Sequence, residues 1–358
     1  MAEMWEPMKV KLGALVPIIT ACIIQNLKVL IVGNPGIGKT EVIRMIASTL
    51  PPYIPGGKDA LLLNWFLAQE QEENVDGIPF KCEDSNGAYV KQLPFEKQRK
   101  NLLVDDRYVI NFLDDMLMGS TRKQTSHMQF FRGHIFGEKV GDNVRYIAAT
   151  NDITMKAGTT AAIEPLKSSC TTIYHAIADH PFWENWAITS GRVRPDIIAY
   201  LHQNPQALDQ FNPTVNLTNS PCPRTWVSAS DMLNVCESVE ADNYTTKASV
   251  EGAIGNAETN QLFAFKTMVD SAATPEVILA DPHGSRVPEN ASVMYAVSLA
   301  LINVVDTVEK AEYAMQYARR LPAEFESLMV RQMATKVGGM KRTKEYIDYL
   351  SRRGETLL

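Results

Sequence analysis

The first half of the chain alternates short apolar runs with stretches of helical spacing, and the second half is helical in pattern nearly throughout. Residues 28–33 (K-V-L-I-V-G) are apolar and β-branched and end in glycine, the signature of a strand buried on both faces. Residues 41–50 follow with apolar side chains at Val42, Met45, Ile46 and Leu50, which is helical spacing, and Pro51-Pro52 stops the run. Apolar runs at 60–67, 108–113, 144–150 and 171–177 predict four more strands. Strands alternating with helical patterns predict an α/β fold, a parallel sheet of five strands covered by helices on both faces. Residues 70–105 are polar and carry the turn signals Asp76-Gly77 and Asn86-Gly87. A connection of that length predicts hairpins or functional loops.

From about Pro181 the character changes. Trp183, Trp186, Ile197, Ile198 and Leu201 predict helices, and 204–223 is a connector rich in proline and asparagine. Residues 224–239, 249–269 and 291–333 again carry helical spacing. The pattern divides the chain into an α/β core over 1–180, a helical region over 181–270 and a helical C-terminal extension over 271–358.

Bulk properties narrow the function classes. A chain of 358 residues holds two or more modest domains. The formal charge of −6 argues against nucleic-acid binding through a broadly basic surface. Five cysteines (Cys22, Cys82, Cys170, Cys222, Cys236) form no C-x-x-C pair, which predicts free thiols in a reducing compartment. The six histidines form no metal-binding pattern. The apolar stretch Leu12–Ile24 is too short to span a bilayer and contains Pro17, so it predicts a helix packed on the core of a cytoplasmic protein.

The chemistry is concentrated at three strand ends. Gly33-Asn34-Pro35-Gly36-Ile37-Gly38-Lys39-Thr40 matches G-x-x-x-x-G-K-[ST] between a predicted strand and a predicted helix. Backbone N–H groups and a helix N-terminus would cradle the phosphates of ATP there. Lys39 would add a point charge, and the Thr40 hydroxyl would ligate Mg²⁺. The strand at 108–113 runs into Asp114-Asp115, with Asn111 an unusual polar guest. Asp114 is the candidate metal residue, and Asp115 the candidate for polarising an attacking water. The strand at 144–150 runs into Asn151, which could orient that water.

In this order, the three elements resemble an AAA+ ATPase. G-N-P-G-I-G-K-T, V-D-G-I-P-F at 75–80, L-D-D-M at 113–116, D-N-V-R-Y-I-A-A-T-N at 142–151 and S-P-C-P-R-T-W at 220–226 are together similar to the MoxR branch, closest to its phage-encoded members. E-P-L-K-S at 164–168, W-E-N-W-A at 183–187, E-G-A-I-G-N-A at 251–257 and L-P-A-E-F at 321–325 extend the likeness over roughly residues 10 to 335. It implies a P-loop core followed by a helical lid, with Asn151 as sensor 1 and Arg224 as sensor 2. It also implies a homo-oligomer, either a hexameric ring or an open spiral, that remodels or assembles a protein client. A von Willebrand factor A-type partner is a family expectation, as is an insert at 75–95 that lines a ring's pore; the residues themselves equally allow a surface hairpin with Phe80 and Phe95 packed beneath it.

One position departs from the family. Its members usually read L-K-S-R before the fifth strand, and that arginine enters the neighbouring subunit's site. Here the run is Leu166-Lys167-Ser168-Ser169-Cys170, so serine stands at the finger position. Lys167 could substitute, though without arginine's planar fork. Arg122, Arg132, Arg192 or Arg194 could serve, or hydrolysis could be slow and ATP could mainly hold an assembly together. The competing readings are thus an ATP-gated structural filament and, against the negative charge, a DNA-directed motor or loader.

Overall fold

A computed structural model describes residues 7–54, 57–70, 77–103, 107–118, 120–152, 163–212 and 217–353. The chain separates into two compact units, Met1–Asp179 and His180–Leu358.

The first unit is built on a parallel sheet. Its elements are β1 (Lys9–Lys11), α1 (Leu12–Ile24), β2 (Val29–Gly33), α2 (Lys39–Thr49), β3 (Leu61–Phe66), β4 (Ile78–Asp84), β5 (Gly87–Leu93), α3 (Glu96–Leu102), β6 (Val109–Asp114), α4 (Thr121–Phe131), β7 (His134–Ile135), β8 (Glu138–Lys139), β9 (Val144–Thr150), α5 (Ile163–Ser169) and β10 (Thr172–Ile177). The sheet order is β1-β10-β2-β9-β6-β3, every neighbouring pair parallel. The five predicted strands are present and a sixth joins them. Lys9–Lys11 pairs with the edge of β10, Lys9 opposite His175 and Lys11 opposite Ile177. Three residues with lysine at both ends carry no apolar run, so only the neighbouring edge defines this strand.

Strand alternation sorts the core into two layers. On one face Leu63 and Trp65 of β3, Val109 and Leu113 of β6, and Val144, Tyr146 and Ala148 of β9 pack with Met128 and Phe131 of α4 and Leu166 of α5. The Phe131 ring stacks on Tyr146 at 5.8 Å. On the other side, Leu15 and Ile19 of α1 and Ile43 and Ile46 of α2 are fully buried. Helix α1 runs through Pro17 without ending. Among the described residues no helix is long and apolar enough to cross a membrane.

The long connection between β3 and β6 holds the antiparallel hairpin β4–β5, with Ile78 opposite Leu93 and Asp84 opposite Gly87. Val75 and Asp76 of the family-like motif lie outside the described residues. Phe80 is 54% exposed rather than packed beneath the hairpin. Ile78, Phe80, Cys82, Tyr89 and Leu93 share one face of this ribbon by register.

The second unit is helical: α6 (His180–Ser190), α7 (Pro195–Gln203), α8 (Pro223–Ser238), α9 (Asn243–Val269), α10 (Pro275–Ala280), α11 (Ala291–Val304), α12 (Val308–Ala318), α13 (Ala323–Lys336) and α14 (Lys344–Arg353). The predicted helical stretch 291–333 divides into three helices, with Asn290 and Thr307 capping α11 and α12 through side-chain oxygens. Helix α9 bends at Gly255, whose φ of 77° lies in the left-handed region. Trp226 is fully buried and donates its indole N–H to Ala207 O at 2.8 Å. Arg352 and Arg353 reach the buried Glu326 of α13 and so fasten α14 to it.

Two further ion-pair clusters lie within this unit. Arg194 donates to both carboxylate oxygens of Asp196 and also to Asn234 and Glu237 of α8. Truncating Arg194 strands a largely buried Asp196 whose remaining cation, Lys266, stands 3.9 Å away. Arg194→Ala is expected to cost about 3 kcal/mol, the low end for a broken buried pair, read as a lowered urea midpoint of the 180–358 unit.

His202 Nδ1 stands 2.7 Å from Glu184, which also accepts from Tyr295 OH at 3.0 Å. The hydrogen bond to Glu184 raises the His202 pKa above its ordinary 6.5. Burial alone would raise Glu184, but the hydrogen bond and charge of His202 outweigh it and hold the carboxyl below 4.5. The raised histidine contributes stability below its unfolded value, lost as pH rises through the folded one; the depressed carboxyl contributes above its unfolded value, lost as pH falls through its folded one. The pair therefore stabilises most at mildly acidic pH. The melting-temperature gap between wild type and His202→Gln should be wider at pH 6 than at pH 8.

Candidate functional site

The sheet topology fixes where a ligand would sit. From β2 the chain crosses to β3 at the far edge, returns through β6 and β9 to lie beside β2, and then places β10 on its other side. In open parallel sheets the crevice beyond the C-terminal strand ends, where the winding reverses, is the binding position. Gly33, Asp114 and Thr150 end β2, β6 and β9 at that edge.

The loop 33–40 is shaped by its glycines. A Cβ on Gly33 would lie 2.6 Å from Ala176 O and 2.9 Å from Ile37 Cδ1, so β2 and β10 meet only because no side chain intervenes. Gly36 and Gly38 have φ of 80° and 108°, in the left-handed region that favours glycine. The chain thus turns sharply into α2, whose first residues are Lys39 and Thr40. The helix N-terminus, with its positive dipole end, begins at this strand edge.

Hydrogen bonds then link these residues in one chain. Lys39, only 7% exposed, donates to Gly33 O and Asn34 O at 2.9 Å each and to Asn151 Oδ1 at 3.1 Å. Asn151 Nδ2 donates to Asp115 Oδ1 at 3.3 Å. The Asp115 N–H donates to Asp114 Oδ1 at 3.1 Å, and Thr40 Oγ1 donates to Asp114 Oδ2 at 2.6 Å. Asp115 has φ of 51°, one of four non-glycine residues at positive φ among those described. That conformation turns the chain away from β6 at the acid pair, as left-handed residues do at strained functional turns. Lys39, Thr40, Asp114, Asp115 and Asn151, from three strand ends, therefore converge.

Arg224 belongs to the other unit, exposed in the first turn of α8. Of the arginines considered as a finger, Arg194 is committed to Asp196, Asn234 and Glu237. Cys170, beside Ser169, is a poor nucleophile: burial pushes its thiol up to about 11 against the opposing charge of Lys28. The five cysteines are free thiols. The sequence flagged Asn111 without a role; it is fully buried, accepts from Trp65 Nε1 at 2.9 Å and donates to Asn101 Oδ1 at 2.5 Å.

Neither a family model nor a curated protein sequence matches this chain. Solved structures with some likeness include NtrX from Brucella abortus in complex with ADP (14% identity, TM-score 0.39, 96% of this chain and 68% of that one). The ORC2 protein of Aeropyrum pernix in ADPNP–ADP complexes matches at 13% identity and TM-score 0.40, over 98% and 88%. PCH-2 of C. elegans matches at 10% and 0.34, over 95% and 69%. Likeness at this level leaves function to the residues themselves.

Those residues fit a polyphosphate carrying a divalent cation. The loop offers backbone donors and one buried ammonium. Thr40 and Asp114 offer a hydroxyl and a carboxylate oxygen already within hydrogen-bond reach of each other. Among the described residues no group of three or more His, Cys, Asp or Glu could hold a metal alone. A cation here would complete its shell with phosphate oxygens and water, as Mg²⁺ does.

Proposed function

We propose that the chain is an AAA+ ATPase of the MoxR-like kind. It would bind ATP with Mg²⁺ at 33–40 and use the nucleotide to remodel or assemble a protein partner. The observation that carries this reading is the chain of hydrogen bonds linking Lys39, Asn151, Asp115, Asp114 and Thr40. A glycine-rich turn alone would not gather an ammonium, a hydroxyl, two carboxylates and an amide at one strand edge.

The roles follow from position. Gly33 to Thr40, including Asn34, Pro35, Gly36, Ile37 and Gly38, wraps the phosphates with backbone N–H groups, and Lys39 neutralises charge on the outer ones. Thr40 and Asp114 hold the cation, which offsets charge on the phosphate oxygens when bound. Asp115 accepts a proton from the attacking water, and Asn151, whose amide already donates to Asp115, orients it. Arg224 from the helical unit acts as sensor 2. The exposed apolar side chains Ile78, Phe80 and Leu93, which share a ribbon face with Lys91, support a partner-contacting role for the hairpin.

Self-association into a ring or spiral completes the site, because AAA+ sites are shared. Turnover per protomer should therefore rise with protein concentration in the presence of Mg²⁺. Concentration-independent turnover by a species that remains monomeric with ATP would refute the shared site. Serine at 169 favours one second reading, an ATP-gated filament with slow hydrolysis; electron microscopy with ATP beside a phosphate-release assay separates it from a fast ring.

A further inference from the structure

Strand β6 is buried along its whole length, and Asn111 is the one polar residue before its terminal acid. Its register partners on the same face are Leu63 and Tyr146, within the apolar layer described above. A buried amide in such a layer costs stability unless it is bonded. Here the amide is used on both sides. Its oxygen accepts from Trp65 of β3, and its nitrogen donates to Asn101 and, at 3.5 Å, to Arg145 O.

Asn101 lies in the last turn of α3, where it is itself fully buried. One turn earlier on the same helix, Lys97 donates to Asn64 O of β3 at 3.0 Å and to Glu70 at 2.8 Å, and its ammonium lies 5.0 Å from the Trp65 ring. Helix α3 is thus fastened to β3 and β6 by polar bonds through Lys97 and Asn101. Only Pro94 and Phe95 separate it from the end of β5. Proline at that junction fixes one of the few torsions available. On the strand side, Asn111 is three residues from Asp114, roughly 10 Å along an extended chain.

We infer that Asn111 is a positioning residue that couples the exposed β4–β5 hairpin, through α3 and Asn101, to the acid pair at the end of β6. The inference rests on the nucleotide reading above. A load on the hairpin moves α3 and pulls on the strand that aims Asp114 and Asp115. By reciprocity, ligand at those acids changes the mobility of the hairpin. An apolar residue at 111 would pack the same layer yet remove the hydrogen bond that joins β6 to Asn101 of α3.

The test is amide hydrogen exchange across 78–102 in the full chain, with and without the Mg²⁺ complex of a slowly hydrolysed ATP analogue, alongside a direct binding titration and a thermal melt. In wild type the analogue should slow exchange in this segment about tenfold. In Asn111→Val the slowing should vanish while the binding constant stays within about threefold. Should Asn111→Val fail to fold, Asn101→Ala cuts the same link from the helix side. A merely structural role would raise exchange equally with and without analogue, and that overturns the proposal. So does a variant that keeps the wild-type response, or a wild type that binds the analogue without any response. Absence of binding to wild type instead overturns the nucleotide reading on which the proposal stands.

Discussion

Lys39→Ala abolishes tight nucleotide binding, with an expected loss of at least about 100-fold, or roughly 2.7 kcal/mol. The ammonium is buried against the loop it serves, and it is the one cationic side chain in the described chain of hydrogen bonds. Hydrogen bonds to charged groups are worth about 1.5–3 kcal/mol, and more where water is excluded. The substitution also removes the donor to Gly33 O, Asn34 O and Asn151, so some loss of order in the loop is expected. Titration calorimetry with Mg²⁺ and an ATP analogue, beside a melt of the same sample, reads the two effects separately. Binding within threefold of wild type from a folded variant would show that 33–40 is not the phosphate cradle.

Asp115→Asn keeps nucleotide binding and lowers turnover by about 10²–10⁴, the range supplied by a positioned general base. Asparagine is the informative substitution because position 115 has φ of 51°, which asparagine tolerates well. Its side-chain oxygen can still accept from Asn151 Nδ2, so the chain of hydrogen bonds survives while the proton acceptor is lost. Single-turnover phosphate release with saturating ATP distinguishes this from a binding defect. Unchanged turnover would transfer the water-polarising role to another residue. Asp114→Asn should behave differently, raising the Mg²⁺ concentration needed for half-maximal activity, because its partner is the Thr40 hydroxyl.

The part of the molecule legible in the sequence is the part governed by local rules. Strands of a parallel sheet write themselves as short, predominantly apolar runs, so β2, β3, β6, β9 and β10 follow from the local pattern even where Asn64, Asn111, Arg145 or His175 interrupts it. The loop 33–40 is legible because backbone geometry demands glycine at fixed offsets. The edge strand Lys9–Lys11 is not, since its only specification is the free edge of β10. Nor is the chain of hydrogen bonds at the site: Lys39 and Asn151 are 112 residues apart, and only the strand order makes them neighbours. Asn111 shows an intermediate case, its oddity visible as a polar guest but its partners Trp65 and Asn101 set by packing. The exposure of Phe80 was not legible either, because alternation tells which residues share a face and not whether that face is covered.

Gly33 has a consequence for mutational tolerance. The space its missing side chain leaves is occupied by Ala176 O of the adjacent strand and by Ile37. Alanine there would push β10 from β2 and disturb the sheet whether or not any ligand is ever bound. In a library selected only for soluble expression, position 33 should therefore stay closed to substitution, whereas Lys39 should drift. Persistence of the first glycine in a diverging lineage would then testify to an intact sheet, and only the lysine would testify to retained chemistry.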